Sequence, residues 1–456
     1  MAEEFDWIVR QAAVVSSESL SLRDVAVREG RIAAIEGALE GRTREEVNGE
    51  GRYLFPGTID PHVHFDEPGR EEWEGIATGS RALAAGGGSL FFDMPLNSLP
   101  PTVDVESFLE KKRAAEATAV TDFALWGGIV PGNPKEREGL ARAGAIGFKA
   151  FLAPTGTPEF GWVDRAALRE GMRQAADFGL PVAVHAESER IVTELTQRLR
   201  AHGRGSWRDY LTSRPLAAEI EAVRQALDCA GETGCRLHLV HVSAPEVVEI
   251  AQAERAKGVD VTVETCPHYL VLCEEELERL GALAKCAPPL RSRRQSEGLW
   301  RALLQEQIDL LASDHSPCPP AAKATSDFFA AWGGISGCQH LLPLLLDRLA
   351  AESGSQAFPL AARLCALGSA RRFGIASKGA IAVGNDADLA LVEVGEPKPI
   401  ATKDLLYRHP LSPYVGLPSR TSILLTLVRG EVAFSRFGHP LRARGRFLPG
   451  PCTRGK

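Results

Sequence analysis

His62 and His64 flank a single valine just after the apolar run Tyr53-Leu54-Phe55-Pro56-Gly57-Thr58-Ile59-Asp60. Residues two apart on an extended chain share a face, so two imidazoles leaving the end of one buried strand can grip one metal ion. Histidine pairs of this spacing also occur on solvated strands, so the pair takes its weight from residues further along. Lys149 lies within Ala145-Ile146-Gly147-Phe148-Lys149-Ala150-Phe151-Leu152, and His185 follows Pro181-Val182-Ala183-Val184. His241 follows Leu237-His238-Leu239-Val240, and Asp314 follows Ile308-Asp309-Leu310-Leu311-Ala312-Ser313. Charged and imidazole groups rarely end buried strands without a partner or a task.

The lysine is the anomaly of the set. An ammonium group in an apolar strand is costly, and desolvation drives it toward the neutral amine. A neutral amine reacts with carbon dioxide, and the resulting carbamate is an anion whose two oxygens can bridge two divalent ions. A snorkelling lysine at a strand end is the alternative. Beside four histidines on one rim, carboxylation of Lys149 (N6-carboxylysine) is the expectation.

Eight short apolar segments supply the positions: 53 to 60, 89 to 93, 122 to 129, 145 to 152, 181 to 185, 236 to 242, 260 to 265 and 307 to 313. Between most of them lie stretches of helical spacing, such as 164 to 178, 216 to 230, 245 to 256 and 295 to 304. Near-continuous apolar strands alternating with amphipathic helices imply a parallel sheet covered outside, and eight repeats close a (β/α)8 TIM-type barrel. This α/β barrel is expected over residues 54–375, with the reactive groups at the C-terminal ends of its strands, where the βα loops converge. Short strands with glycine turns in 5–52, 379–394 and 421–434 predict a small β-sandwich domain assembled from residues 1–53 and 376–456.

The chain has 456 residues, 44% of them hydrophobic and 24% charged, which fits a large globular domain plus a smaller one and argues against disorder. A net charge of −7 argues against a nucleic-acid partner, which would call for a basic face. No apolar stretch approaches the roughly 20 residues of a membrane span. The start Met1-Ala2-Glu3-Glu4-Phe5-Asp6 lacks the layout of a secretion signal, so no membrane association and a cytoplasmic location are expected. Nine cysteines without a C-x-x-C pair predict reduced core thiols.

At this point the chain resembles the amidohydrolases that open cyclic amides, a family that includes dihydroorotases, hydantoinases and allantoinases. The resemblance runs from Gly30-Arg31-Ile32 to the closing segment from Lys378 to Leu389. It implies two divalent metal ions per subunit, with His62 and His64 on one and His185 and His241 on the other. It also implies carboxylated Lys149 as the bridge, and Asp314 as both ligand and catalytic proton carrier. HVHFDEPGR from His62, DMPLNSLPPT from Asp93, ETCPHYL from Glu264, KCAPPLR from Lys285, SDHSPCPP from Ser313 and the Ala-Trp-Gly-Gly of 328–334 look most like the allantoinase branch. The implied reaction is hydrolysis of the hydantoin ring of allantoin, a small-molecule substrate, to allantoate. Hydantoinase or dihydropyrimidinase activity and a non-catalytic scaffold of the same fold are the rivals. Zinc is the expected metal, since imidazole and carboxylate suit it, with manganese, cobalt and iron as alternatives that accept similar ligands. A homotetramer is implied by the resemblance alone.

Dihydroorotases place an arginine two positions after the second histidine to hold a substrate carboxylate; here Asp66 stands there and is expected to repel one, favouring an uncharged ring. Arg70 reads as a surface or supporting contact. Asn97 and Ala287 are candidate substrate-binding positions. Cys318 reads as loop packing, His238 (on the face opposite His241) and His268 as satisfied structural histidines, and His315 as a support for Asp314.

Overall fold

In the computed structural model, which describes residues 4–453, eight parallel strands form the barrel wall. They are Thr58–Val63, Gly88–Asp93, Asp122–Leu125 continued by Gly127–Gly128, Phe148–Phe151, Val182–His185, Leu237–Leu239, Val261–Thr265 and Leu310–Leu311. Successive strands pair in parallel. The ring closes where His315, just past the eighth strand, bridges Val63 of the first, and the His64 N–H donates to the His315 carbonyl at 2.7 Å.

Side-chain alternation divides the wall into two faces. Leu90, Phe92, Ala124, Trp126, Ala183 and Leu310 share one buried cluster with Phe373, whose ring stands edge-on to Phe92 at 4.9 Å and to Trp126 at 5.4 Å. Phe91, Phe123, Phe148, Val182, Leu237 and Val263 belong to the other, which packs against the helices. Helix Arg165–Asp177 shows why these helices form. Leu168, Gly171, Met172 and Ala175 recur at helical spacing and are buried, and the Asp164 side chain caps the start by accepting from the Ala167 N–H at 2.8 Å. The expected helices 216 to 230, 245 to 256 and 295 to 304 appear as Leu216–Thr233, Pro245–Arg255 and Arg293–Leu304.

The terminal segments make one continuous eight-stranded sheet. Its order is Glu431–Ser435, Pro418–Val428, Leu389–Pro399, Tyr53–Pro56, Glu4–Val15, Leu20–Arg28 and Arg31–Glu36, with Arg42–Asn48 also paired to Glu4–Val15. Val9, Val25 and Leu54 from the N-terminal strands share a core with Leu389, Leu391 and Leu427 from the C-terminal ones. The nine cysteines are free thiols, eight of them buried. Among the described residues no helix is long and apolar enough to cross a membrane. Of the start read against a secretion signal, Met1, Ala2 and Glu3 lie outside the described residues.

One expected strand divides. The run 53 to 60 reads as continuous, but Tyr53–Pro56 joins the terminal sheet and the barrel strand begins at Thr58. Gly57 is the crossing point: its N–H donates to Asp388 of the small sheet at 2.8 Å, and the next N–H, from Thr58, donates to Gly87 of the barrel at 2.9 Å. A Cβ at Gly57 would lie 2.5 Å from Ser89 Oγ, so no side chain fits between the two sheets. Gly57→Val is expected to destabilise the chain by about 1–3 kcal/mol, read as a lower urea midpoint. An unchanged midpoint would mean that the two sheets tolerate separation at this point.

Candidate active site

At the C-terminal ends of the barrel strands opens a cavity of about 540 Å³ whose lining includes His62, His64, His185, His241 and Asp314, together with Asn97 and Ala287. Val63 pairs with Asp93 on one side and His315 on the other, which leaves the imidazoles before and after it directed inward. His62 Nε2 lies 3.1 Å and His64 Nε2 3.6 Å from the same oxygen, Asp314 Oδ1. Ligand-type atoms of these three residues all fall within 4.8 Å of one another. On the other side His185 Nδ1 faces His241 Nε2 at 3.1 Å, and the His241 ring is 5.4 Å from that of His62. The two pairs therefore form one cluster.

His241 and Asp314 adopt left-handed backbone conformations, with φ of 41° and 47°. Such conformations are unfavourable for residues with a Cβ. They end the strand geometry and present both side chains to the cavity.

Lys149 is not part of the lining. It is wholly buried, its Nζ has no hydrogen-bond partner, and it sits 5.0 Å from the centroid of the Phe151 ring. Burial lowers its pKa to about 8, only partly opposed by Asp314 and Glu264. Lys149 in turn depresses the imidazoles of His62, His185 and His241, which places it electrically within the same cluster.

Two buried carboxylates fix the imidazoles from behind. The Glu264 carboxylate accepts from His62 Nδ1 at 2.8 Å, from His238 Nε2 at 3.0 Å and from the His241 backbone N–H at 3.2 Å. Glu187 accepts from His185 Nε2 at 2.8 Å and is ion-paired with Arg214. With those ring protons committed, His62 Nε2 and His185 Nδ1 carry free lone pairs. Burial, the leading cause, lowers the pKa of His62, His185 and His241, so these rings are neutral at pH 7. Burial by itself would raise the Asp314 carboxyl, but His62, His64 and His241 outweigh it and keep the group anionic.

This donor set fits divalent cations. Neutral imidazole nitrogens and one carboxylate oxygen converge, and His64 Nδ1, His241 Nδ1 and Lys149 Nζ are buried without partners. The facing nitrogens of His185 and His241 bring ring lone pairs together, an arrangement that a cation satisfies.

Several expectations change on contact with the structure. Asp66 is not in the lining: it is buried, neither of its oxygens has a partner, and burial followed by the nearby Asp93 and Glu74 raises its pKa well above the ordinary range. It is sealed away from the cavity in surroundings that favour its neutral form, so it does not stand where it would meet a substrate carboxylate. His238 does not face away from His241. It points into the barrel, where it shares Glu264 and accepts from Thr262 at 2.9 Å, because the turned backbone at His241 breaks the alternation of faces. His268 is buried, but neither ring nitrogen has a partner; its ring lies 4.2 Å from that of Tyr269. His315 supports the site through its backbone carbonyl under His64, while its Nδ1 accepts from the Gly337 N–H at 3.0 Å. Cys318 is a buried thiol whose pKa is raised by burial.

Arg70 donates to the Asn97 carbonyl at 2.8 Å and pairs with Glu159 at 2.6 Å, so it holds the Asn97 loop. Asn97 Nδ2 lies 3.5 Å from Ser316 Oγ. Sequence reading missed Glu187 and Glu264. Glu187 stands two residues after His185, a spacing that signals a carboxylate behind a ligand; Glu264 lay inside a quoted motif without a role.

The carboxyls of Glu264 and Glu187 are each held at about 2: burial would raise them, but His62 and His238 outweigh it for Glu264, as Arg214 and His185 do for Glu187. Because these values lie below the ordinary 4.5, both groups add stability that is fully present above that pH and is lost as the pH falls toward 2. Glu264→Gln is expected to lower the urea midpoint at pH 7 and to flatten its decline over that acid range. An equally steep decline in the variant would contradict the assignment.

The pattern of the amidohydrolase family matches residues 53–433. A protein named allantoinase from Solibacter usitatus is 51% identical over 441 residues, which cover 97% of this chain and 96% of that one. Another allantoinase, from Rubrobacter xylanophilus, is 51% identical over 450 residues, 99% of this chain and 97% of its own. The solved L-hydantoinase (dihydropyrimidinase) from Arthrobacter aurescens has a TM-score of 0.93 at 33% identity, covering 98% of this chain and 100% of that one. A match that spans both the barrel and the terminal sheet, on a chain whose strand ends gather the histidines and the aspartate, assigns it to the amidohydrolase family.

Proposed function

We propose that this chain catalyses the metal-dependent hydrolysis of the hydantoin ring of allantoin to give allantoate. The observation that carries the reading is the 51% identity, over nearly the whole chain, to proteins named allantoinase. It is supported by the gathering of ligand-type side chains at one cavity.

On this reading His62, His64 and Asp314 hold one divalent cation and His185 and His241 a second, with zinc the metal that suits the donors. Lys149, carboxylated as the family resemblance implies, would supply the anion shared by the two cations. Its amine, held near 8 by burial, is partly neutral at pH 7. The lone pair of the neutral amine would form the new N–C bond to carbon dioxide, the N–H proton would pass to water, and a carbamate anion would stand in place of the amine; the ammonium form must first give up one further proton to water. Bound divalent cations supply Lewis acidity that acidifies a water and polarises the amide carbonyl.

The chain's own groups do the rest. Asp314, anionic at neutral pH, takes the proton of the attacking water on a carboxylate oxygen and returns it to the ring nitrogen as the C–N bond breaks. Glu264 and Glu187 keep the tautomers of His62 and His185 that leave lone pairs directed at the cavity. Asn97, its loop held by Arg70, offers its amide to the ring, and Ala287 contributes to the wall. The reading carries with it a homotetramer, for which the family resemblance is the support, and a cytoplasmic location, for which the lack of a signal-like layout in the sequence is the support.

Turnover of allantoin, unsubstituted hydantoin and dihydrouracil, with metal content measured alongside, tests the assignment. Allantoin is expected to be preferred, and Asp314→Asn to lower kcat by about 100- to 10,000-fold with the circular dichroism spectrum unchanged. Preference for hydantoin or dihydrouracil would favour the hydantoinase reading, to which the 0.93 TM-score belongs. No turnover and no bound metal would favour a scaffold.

A further inference from the structure

Lys285 is a buried lysine on the cavity wall for which the hydrolysis itself has no use; burial, followed by the nearby Arg214, lowers its pKa to about 7, so its ammonium form coexists with the neutral amine at pH 7. Its Nζ donates to the carbonyls of Phe329 (3.1 Å) and Ala331, and it stands 4.7 Å from the centroid of the Tyr210 ring. Phe329, Ala331 and Tyr210 line the same cavity as the histidines and Asp314. An ammonium group has three N–H donors, and two are spent on these carbonyls. The third belongs to a side chain that itself lines the cavity.

A second lysine shows that this wall is held by design of the same kind. Lys323 Nζ donates to the carbonyls of Ala282, Trp332 and Gly334 at 2.8, 2.9 and 2.7 Å, spending all three of its donors. Lys323 is not in the lining. The segment from Phe329 to Gly334 is thus gripped by two ammonium groups, one saturated and one with a donor to spare. Of the other lining residues, Ser316 is two positions after Asp314 and Asn97 lies 3.5 Å from its Oγ, so on the proposed reading these two face the ring undergoing hydrolysis. Lys285 belongs to a different stretch of wall, formed by Tyr210, Phe329 and Ala331.

We propose that Lys285 is a specificity-determining residue whose spare N–H donates to the carbonyl oxygen of the exocyclic ureido group of the substrate, distinguishing allantoin from hydantoins without that tail. The inference rests on the proposed allantoin hydrolysis and deepens it. In its ammonium form the side chain gives a charge-assisted hydrogen bond to a neutral carbonyl, and a tail that cannot accept leaves that donor unmet.

The test compares kcat/KM for allantoin and for 5-methylhydantoin, which lacks the tail, in the unaltered protein and in Lys285→Met, Lys285→Arg and Lys323→Met. In Lys285→Met the allantoin value is expected to fall about 10- to 100-fold further than the 5-methylhydantoin value, chiefly through KM. Lys285→Arg should recover part of the preference, because it keeps a cationic donor. Lys323→Met, which loosens the wall without removing a donor from the cavity, should lower both substrates alike. The unaltered protein gives an independent reading: a thioureido analogue, whose sulfur is a poorer acceptor, should show a raised KM. Equal losses on both substrates in Lys285→Met, or a thioureido analogue that binds as well as allantoin, would overturn the assignment while leaving allantoin hydrolysis standing. If the unaltered protein does not turn over allantoin, the parent reading fails and this inference falls with it.

Discussion

A single buried carboxylate ties three strands of the barrel together at the level where the histidines gather. Glu264, in the seventh strand, accepts from His62 in the first and from both the His238 ring and the His241 backbone at the end of the sixth. A fully buried anion is tolerable only when its lone pairs are met, and here each partner is a group whose position matters to the site. The same contact sets the tautomer of His62, so packing and chemistry are the same interaction. Glu187 does for His185 what Glu264 does for His62, with Arg214 supplying the charge that keeps it ionised.

Around this core the backbone accepts unfavourable conformations. The left-handed residues His241 and Asp314 each cost on the order of 1–3 kcal/mol and persist because the closed ring of strands over-determines them. What they produce is convergence: imidazole nitrogens and one anionic oxygen within reach of one another, in the field of a desolvated amine. The proposed cations and the carbamate meet groups that otherwise face one another or have no partner. Outside that centre, the wall from Phe329 to Gly334 is held by two lysine side chains donating to its carbonyls.

Much of this was legible in the residues. Apolar runs ended by His185, His241 and Asp314, and alternating with helical spacing, suffice for the barrel and its rim. The division of 53 to 60 was not, because the apolar pattern continues through Gly57 and only the close approach of two sheets, at Asp388 and Gly87, separates the strands. The role of Glu264 was hidden because it reaches His62 across 202 positions of sequence. Alternation of faces misplaced His238, since it assumes an extended backbone where His241 is turned. The charge argument at Asp66 failed for another reason: position along the chain does not reveal whether a carboxyl faces the cavity or is sealed behind it.

A crystal grown with zinc and bicarbonate and measured by anomalous scattering at the zinc edge tests the proposed two-metal centre most directly. Two peaks are expected, one within bonding reach of His62, His64 and Asp314 and one within reach of His185 and His241, with density extending beyond Lys149 Nζ. Density that stops at the Lys149 amine, with no zinc at these side chains, would contradict it.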